Sequence, residues 1–347
     1  MTMAPGRSTG RPTLRDVAQE AGVSSKTVSR VVNGEPGVKP AKEVRVVEAI
    51  AKLGYRPNEL ARSLQGQPSR TIGLIIADIS NPFYAGCAKA VEETARERGY
   101  AVILCASDED VENERSYVGL LTQRRVDGLL LVPASDGNEY LKEEQAAGLL
   151  MVALDRPAEG ILTDTVIVQN RAGTREAIRH LIEHGHERIA FIGDEERLYT
   201  TRLRLKGYRE ALEEVSLEEI SRVGAHDIAS AANTTRELLE LSDSPTAIFA
   251  MNNLITVGVL QALDRAALQV PEEMALIGFD DFELATVLHP RLTLVRQPAA
   301  DLGRTATELL FDQLEARHTG KPRRVVLETE LIVRESCGCK PDLNPPT

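Results

Sequence analysis

From residue 71 to residue 317, short apolar runs alternate with longer segments whose apolar residues recur at helical spacing. Such runs are typical of buried strands, and the segments between them are typical of amphipathic helices. Strands are predicted at residues 71–77, 101–106, 128–132, 151–154, 165–168, 188–192, 247–250 and 275–278. Helices are predicted at residues 82–98, 112–124, 173–184, 202–215, 230–241, 255–266 and 299–317. This repeated order favours the α/β class, with parallel sheets covered by helices on both faces.

The length of the chain limits how this pattern can be arranged. The chain has 347 residues, and at roughly 100 to 200 residues per domain it should form two or three units. Two lobes are more natural than one oversized sheet for residues 71–340. With 42% apolar and 27% charged residues, the composition excludes a wholly disordered chain.

The chain shows no sign of a membrane span, a disulfide framework or a bound metal. No apolar run approaches the roughly 20 residues of a transmembrane helix, and residues 1–12 lack the apolar stretch of a secretory signal, so we expect a cytoplasmic protein. Its four cysteines are Cys87, Cys105, Cys337 and Cys339. Because no C-x-x-C motif or cluster of Cys and His supplies four ligands, neither a zinc site nor a cofactor is expected.

Charge is distributed very unevenly along the sequence. The whole chain has a net charge of −11, yet residues 1–70 hold twelve Lys and Arg against six Asp and Glu. The remaining residues hold 29 basic against 46 acidic side chains. A small basic head therefore precedes a large acidic body, which indicates that the head alone binds a polyanion such as DNA.

The basic head has the pattern of three short helices, predicted at residues 14–21, 24–33 and 40–53. Its apolar residues can close a small core. They are Leu14, Val17, Ala18, Val23, Val28, Val31, Val32, Val44, Val47, Ile50 and Leu53.

The segment TLRDVAQEAGVSSKTVSRVVNGEPGV has the features of a helix-turn-helix. Ser24 is a suitable N-cap for the second helix. Ser25 and Lys26 then lie in the first turn of that helix, where a recognition helix meets base edges. Arg30 lies one turn further along the same face, within reach of a guanine or a phosphate.

Nearly the whole chain resembles the LacI/GalR repressors. The matching stretches are LRDVAQEAGVSSKTVSRVVNG, LGYRPNELARSL, IGLIIADISNPFYAG, GHERIAFIGD, RLRLKGYREAL and LIGFDDFELATVLHPRLTLVRQP, in the order and spacing of that family. The resemblance implies a sequence-specific regulator, most commonly a repressor, with an all-α helix-turn-helix head, a hinge helix and a two-lobed body like the periplasmic sugar-binding proteins. It also places Ser25, Lys26 and Arg30 at base-reading positions, while Thr27 and Ser29 face phosphates.

The resemblance assigns a hinge helix to residues 57–64, which orders on the operator. Asn58 belongs to this DNA-binding segment, Ala61 is small enough to enter the minor groove, and Arg62 meets a phosphate or a base edge. Leu64 takes the wedge position, where an apolar side chain unstacks a base step and bends the duplex. Because one such short helix should not be stable alone, we expect a homodimer that reads a pseudo-palindromic operator. The tail lacks terminal Leu heptads, which favours a dimer over a tetramer.

In the body, the resemblance implies a small-molecule effector, most commonly a sugar, bound in a cleft between two lobes. Ligands of open α/β sheets bind at the carboxyl ends of strands. Asp78, Phe83 and Tyr84 follow the first predicted strand, so they should face this cleft. Phe83 is the best candidate for stacking on a ligand ring.

Two further effector residues come from family motifs. Arg204 begins R-x-x-G-Y, whose arginine hydrogen-bonds a polar ligand, and Asp280 ends an apolar strand with an acceptor that also holds effector. The alternative is that Arg204 and Asp280 form a salt bridge across an empty cleft. Asp281 is expected to have a structural role.

At three places the sequence departs from the family pattern. Asn252 matches the asparagine of an Asn-Asp pair that binds effector, but Asn253 replaces the aspartate. Gln169 likewise replaces the aspartate of an Asp-Asn pair. His226 or Asp227 falls near a position where relatives carry a stacking aromatic ring. These changes leave the identity of the ligand open, since amides also bond hydroxyls.

Three other functions differ in how well they agree with the sequence. No catalytic motif is visible, and we interpret His180, His184 and His186 as structural residues at a helix end, so an enzyme is not expected. A solute-binding protein without a DNA role conflicts with the basic head. An activator or a dual regulator is not distinguished from a repressor by these residues, since the same arguments apply to all three.

The resulting domain organisation has five parts. They are a flexible arm at residues 1–12, the helix-turn-helix domain at 13–57, the hinge helix and linker at 58–70, the two-lobed effector and dimerisation domain at 71–340, and a tail at 341–347.

Overall fold

The structure is a computed structural model that describes residues 12–55, 68–317 and 320–339. The chain divides into two compact units, Met1–Ser69 and Arg70–Thr347. No helix among the described residues is both long and apolar enough to span a bilayer.

The first unit contains three helices, α1 (Leu14–Ala21), α2 (Ser25–Val32) and α3 (Pro40–Leu53). Thr13 caps α1, since its backbone N–H donates to Asp16 Oδ2 at 2.7 Å and its hydroxyl accepts from the backbone of Asp16. Gly22 ends α1 with a φ of 64°, a left-handed conformation that favours glycine. This turn is short enough to bring α2 directly against α1.

The core of the first unit confirms most of the apolar pattern and corrects it in α3. The fully buried residues are Val17, Ala18, Ala21, Val28, Val46 and Ala49. Val44 and Val47 were predicted to be core residues, but they are 56% and 55% exposed. The prediction was wrong because α3 points Val46 and Ala49, three positions apart, at the other helices.

The second unit contains two lobes, each built on a six-stranded sheet. The first sheet has the order β11-β5-β4-β3-β1-β2, and all its strands are parallel. Its strands are β1 (Thr71–Ile76), β2 (Ala101–Ala106), β3 (Gly128–Leu131), β4 (Leu150–Leu154), β5 (Asp164–Val168) and β11 (Arg324–Leu327). Its helices are α4 (Pro82–Glu97), α5 (Val111–Gln123), α6 (Leu141–Ala146) and α11 (Ala299–Leu314).

The second sheet has the order β12-β10-β9-β8-β6-β7, in which only β12 runs antiparallel to its neighbour. Its strands are β6 (Ile189–Ile192), β7 (Ile220–Arg222), β8 (Ala247–Ala250), β9 (Ala275–Phe279), β10 (Thr293–Arg296) and β12 (Glu330–Ile332). Its helices are α7 (Asn170–Glu183), α8 (Tyr199–Glu213), α9 (Ile228–Leu239) and α10 (Asn253–Arg265), followed by a 3₁₀ turn at Glu283–Thr286.

The chain crosses between the two lobes three times. It leaves the first lobe after β5, returns between β10 and α11, and leaves again between β11 and β12. The carboxyl ends of the central strands of both sheets therefore face a common cleft. The two-lobed α/β architecture expected from the sequence is confirmed.

All eight strands predicted in the body are present, each within one residue of its observed ends. Four helices begin two or three residues earlier than predicted, at α7, α8, α9 and α10. Strands β7, β10, β11 and β12 and helix α6 were missed. β11 and β12 are short edge strands with half-exposed side chains, so they lack the apolar run that marks a buried strand.

Candidate functional site

The second helix of the head presents a polar, solvent-exposed face. Ser24 caps α2, since its Oγ accepts from the backbone N–H of Thr27 at 3.2 Å. Val28 packs into the core, while Ser25, Lys26 and Arg30 are exposed. The predicted base-reading side chains therefore share the accessible side of one helix, as a recognition helix requires.

The other side chains of α2 have weak local partners. Arg30 Nε lies 3.5 Å from Glu35 Oε2, and both side chains are nearly half exposed. Exposed pairs of this kind contribute about 0–1 kcal/mol, so a phosphate or a guanine can compete for Arg30. The half-buried hydroxyls of Thr27 and Ser29 contact Ser24 and Asn33 at 2.9 and 3.5 Å.

The remaining predicted DNA-binding residues lie outside the described part of the chain. They are Asn58, Ala61, Arg62 and Leu64, and their assignment stays a prediction from the resemblance.

A cavity of about 80 Å³ lies between the lobes of the second unit, at the carboxyl ends of the strands. We call it the cleft. All six ligand-binding residues predicted from the sequence line it: Asp78, Phe83, Tyr84, Arg204, Asn252 and Asp280. Folding thus brings together side chains from the ends of β1, β8 and β9 and from helices α4 and α8.

The guanidinium of Arg204 is buried in the floor of the cleft. Its Nε donates to Asn170 Oδ1 at 2.8 Å, and its Nη1 donates to the carbonyl of Met251 at 2.5 Å. The group lies over the Phe279 ring at 3.7 Å from the centroid, a cation–π contact. Burial lowers the pKa of Arg204, although the Asp280 charge opposes this effect. Nη2 has no hydrogen-bond partner among the described residues, so it remains available to a ligand.

The R-x-x-G-Y motif explains how Arg204 reaches this position. A Cβ on Gly207 would lie 2.2 Å from the carbonyl oxygen of Arg171, so only glycine allows α8 to approach α7 this closely. The hydroxyl of Tyr208 donates to the Ile189 carbonyl and accepts from the Ile220 backbone, each at 2.8 Å. These contacts fix α8 against β6 and β7.

Asp280 follows β9 with a φ of 75°, a strained conformation for a residue other than glycine. Its Oδ1 accepts a short hydrogen bond from Gln297 Nε2. Burial raises the pKa of Asp280, partly offset by the Arg204 charge. Arg204 and Asp280 form no ion pair within 4.0 Å, so the alternative of a salt bridge across the cleft is wrong for this structure. Asp281 instead pairs with Arg334 at 2.8 and 2.9 Å.

A second buried guanidinium, which the sequence reasoning missed, lies on the first-lobe side. Arg156 binds both carboxylate oxygens of Glu109 at 2.7 and 2.8 Å and donates to the Tyr84 hydroxyl at 2.9 Å. That hydroxyl donates to Asp155 Oδ2 at 3.1 Å. Although burial opposes its charge, Glu109, Tyr84 and Asp155 keep the pKa of Arg156 well above its ordinary value. The signal was present, because Asp155 and Arg156 directly follow the apolar run of β4.

Three other predicted ligand-binding side chains are partly occupied by hydrogen bonds or packing within the protein. Asp78 accepts from the backbone and hydroxyl of Ser80 at 2.7 and 2.8 Å. Asn252 caps α10 by accepting from Ile255 at 2.8 Å. Phe83 is only 8% exposed, so it offers little of its face for stacking.

Three buried oxygen acceptors have no hydrogen-bond donor among the described residues. They are Asp155 Oδ1 and Gln297 Oε1, whose residues line the cleft, and Asn253 Oδ1, whose residue does not. Asn81 Oδ1 accepts from the Phe83 backbone, so the Asn253 amide must turn its NH₂ to Asn81 and leave its oxygen unpaired. An unpaired buried acceptor costs about 1–3 kcal/mol. A ligand with several hydroxyl or N–H donors would remove this cost.

The charge of the lining is predominantly negative. The acidic residues are Asp78, Glu109, Asp155, Asp194 and Asp280, and the basic residues are Arg156 and Arg204. Burial raises the pKa of Asp194 to about 6. Phosphorylated ligands are disfavoured by such a lining, because their charge would meet an excess of carboxylates.

The residues at the substituted family positions lie in different parts of the second unit. His226 lines the cleft, near the position where the resemblance placed an aromatic ring. Gln169 lines a different cavity between the lobes, beside Tyr199 and Arg324. Its neighbour Asn170 instead holds Arg204.

The structure brings together Cys and His side chains that the sequence reasoning did not connect. His180, His184 and Cys339 offer ligand atoms that all lie within 4.8 Å of one another, and Cys337 adjoins them. Sequence spacing could not reveal this cluster, since its two halves are 155 to 159 residues apart.

Comparisons with known proteins match both units. Residues 13–58 match the family model of bacterial regulatory proteins, lacI family, and residues 178–337 match that of a periplasmic binding protein-like domain. The ribose operon repressor of Halalkalibacterium halodurans is 39% identical over 326 residues, covering 93% of this chain and 96% of the relative. The transcriptional repressor PurR of Aliivibrio salmonicida is 34% identical over 330 residues, covering 93% and 98%.

Solved structures agree with these matches. A complex of the transcriptional regulator CelR with cellobiose has a TM-score of 0.71 and 35% identity, covering 94% of this chain and 100% of that one. The lac repressor dimer bound to operator and the anti-inducer ONPF has a TM-score of 0.84 and 27% identity, covering 94% and 99%.

Proposed function

Because this chain belongs to the lacI family of bacterial regulatory proteins, we propose that it is a homodimeric repressor controlled by a neutral sugar. The head binds a pseudo-palindromic operator in the cytoplasm, and the cleft binds the effector without catalysing a reaction. The observation that carries the choice of effector is that two unpaired acceptors, on Asp155 and Gln297, line an acidic cleft.

The chemistry of the cleft supports a polyol over an anionic or an apolar ligand. Asp155 and Gln297 supply acceptors for ligand hydroxyls, and Arg204 Nη2 supplies a donor, a combination that suits vicinal hydroxyl groups. The carboxylates disfavour phosphate groups. Relatives named for ribose and cellobiose are consistent with this ligand class.

DNA binding requires two heads in this proposal. Ser25, Lys26 and Arg30 contact base edges, Thr27 and Ser29 contact phosphates, and two copies read two half-sites related by the symmetry of the dimer. The lac repressor dimer bound to operator provides the structural precedent. Asn58, Ala61, Arg62 and Leu64 act as the minor-groove segment, with Leu64 as the wedge.

Control of operator binding by the effector depends on the three chain segments that connect the lobes. A ligand that bonds Asp155 on the first lobe and Arg204 on the second favours one lobe arrangement over the other. If this preference is about 1–3 kcal/mol, operator affinity changes by roughly 5- to 150-fold.

One pair of experiments tests the proposal. Neutral pentoses, hexoses and disaccharides are compared with their phosphates for the ability to raise the melting temperature, since a ligand stabilises the native state by mass action. Selection from a random duplex pool then identifies the operator, and the active sugar is added to that complex. We expect a neutral sugar, a symmetric site and a sugar-dependent change in affinity. Stabilisation only by phosphorylated ligands would contradict the effector class, and selection of no symmetric site would contradict the DNA role.

A further inference from the structure

A cluster of nitrogen and sulfur atoms lies on the second lobe, formed by residues that the proposed function does not use. His180 and His184 lie one turn apart at the end of α7, and Cys337 and Cys339 follow β12. Cys339 Sγ is 3.0 Å from Nε2 of both histidines. Cys337 Sγ is 3.4 Å from His180 Nε2 and 3.0 Å from Cys339 Sγ. His180, His184 and Cys339 therefore offer ligand atoms within 4.8 Å of one another, and Cys337 joins this group through its contacts with His180 and Cys339 but not with His184.

The histidine orientation suits a metal ligand. His184 Nδ1 is 2.7 Å from the backbone carbonyl of His180. Because a carbonyl only accepts hydrogen bonds, this Nδ1 must carry the proton, which leaves the lone pair of Nε2 directed at Cys339. Metal-binding histidines are commonly oriented by such a bond from their other ring nitrogen.

We propose that His180, His184, Cys337 and Cys339 bind one zinc ion. Two thiolates and two imidazoles form one of the common tetrahedral zinc sites, with Zn–S near 2.3 Å and Zn–N near 2.0–2.1 Å. Such bonds place neighbouring ligand atoms roughly 3.3–3.8 Å apart. The ligand atoms that are in contact, at 3.0–3.4 Å, need to spread by less than about 1 Å. Exposed His184 also has to move toward Cys337, since only His180, His184 and Cys339 have ligand atoms within 4.8 Å of one another. Thiolate ligands also disfavour Mg²⁺ and Ca²⁺, which prefer oxygen.

One side of the cluster is buried in the second lobe, and the other side is accessible to solvent. Cys337 is fully buried in the core of the second lobe, and the Thr293 hydroxyl donates to its Sγ at 3.2 Å. Such a bond orients a thiolate. His184 is exposed, and Cys339 and His180 are half-buried, so an ion can enter from solvent. The bound ion ties the chain after β12 to the end of α7.

This site is distinct from the cleft but shares one helix with it. Asn170, at the start of α7, holds Arg204 in the cleft, whereas His180 and His184 lie at the other end. The zinc ion therefore stabilises the helix that positions the arginine, while no ligand atom of the zinc site lines the cleft.

The test measures zinc on the full chain, purified without a histidine tag and kept reduced. Zinc is counted per chain by atomic emission, and its affinity is measured against a chromogenic chelator. The substitutions are Cys339→Ser and His184→Asn, with Cys105→Ser and His186→Asn as matched controls outside the cluster. We expect one zinc per chain in the wild type and both controls, and a loss of affinity of at least about 100-fold in the two cluster variants. Zinc should raise the melting temperature of the wild type and of the controls alone.

A second measurement does not depend on the variants folding. Cobalt added to the metal-free wild type should give a thiolate-to-cobalt charge-transfer band and the intense visible bands of tetrahedral coordination. A wild type that binds neither zinc nor cobalt would overturn the proposal, as would undiminished zinc binding in both cluster variants. A Cys337–Cys339 disulfide in protein purified without reductant, with no zinc binding after reduction, would also overturn it.

Discussion

The predicted recognition helix α2 and the cleft both present polar side chains, but the two regions hold them differently. On α2, Lys26 and Arg30 are exposed, and the ion-pair partner of Arg30 is only five residues away. In the cleft, Arg204 is buried and bonds to residues 34 and 47 positions away in the chain. Substitutions on α2 should therefore change binding alone, whereas substitutions in the cleft should change binding and stability together.

The largest expected effect is at Arg156. Arg156→Ala leaves the carboxylates of Asp155 and Glu109 without their buried partner, which should reduce the free energy of unfolding by about 3–5 kcal/mol. Chemical denaturation measures this loss. Arg304→Ala is the control, since its pair with Asp301 is more than half exposed and should contribute less than about 1 kcal/mol. Equal losses of unfolding free energy in the two variants would show that the buried pair is no more important for stability than the exposed one.

The next prediction concerns pH. The folded-state pKa of Asp194 is raised from 3.8 to about 6, so folding favours its protonated form. Its contribution to stability is fully present below pH 3.8 and is lost as pH rises to about 6. The loss amounts to up to about 3 kcal/mol.

Asp194→Asn isolates this contribution, because the amide does not titrate. The difference in unfolding free energy between wild type and variant should change across this pH interval and stay constant above it. A difference that does not vary with pH would show that Asp194 is not desolvated.

The third prediction concerns Arg204→Ala, which tests whether Arg204 binds the effector. It removes a charged donor to the ligand, and such bonds contribute about 1.5–3 kcal/mol, so effector affinity should fall roughly 10- to 150-fold while operator binding persists. Calorimetry with the identified sugar and DNA retardation measure the two effects. Arg171→Ala is the control, because Arg171 is exposed beside Asn170 and pairs with Glu210. Intact effector response in the Arg204 variant would contradict its assignment.

The smallest effect on stability is expected at Lys26. Lys26→Ala should leave the melting temperature unchanged, since the side chain is exposed, while discrimination among operator variants falls by about 1–3 kcal/mol. Lys42→Ala, an exposed position on α3, should leave discrimination unchanged. If the preference of the Lys26 variant among operators equals that of the wild type, Lys26 does not read bases.

Local patterns made much of this protein predictable. The apolar runs placed eight strands within one residue, because buried parallel strands are apolar along their whole length. The cap at Ser24 and the exposed side chains of α2 depend only on neighbours in the chain, so this helix and its exposed face could be predicted from the sequence. The six cleft residues followed from family motifs at strand ends and in α4 and α8.

Tertiary structure decided what depends on distant partners. The choice of Val46 over Val47 for the head core, the Glu109–Arg156–Tyr84 network and the three unpaired acceptors appear only once the elements are packed. The same holds for the His180–Cys339 contact, whose partners belong to segments that the sequence keeps far apart. Sequence patterns report burial and local hydrogen bonds, whereas the pairing of buried polar groups is set by the geometry of the whole fold.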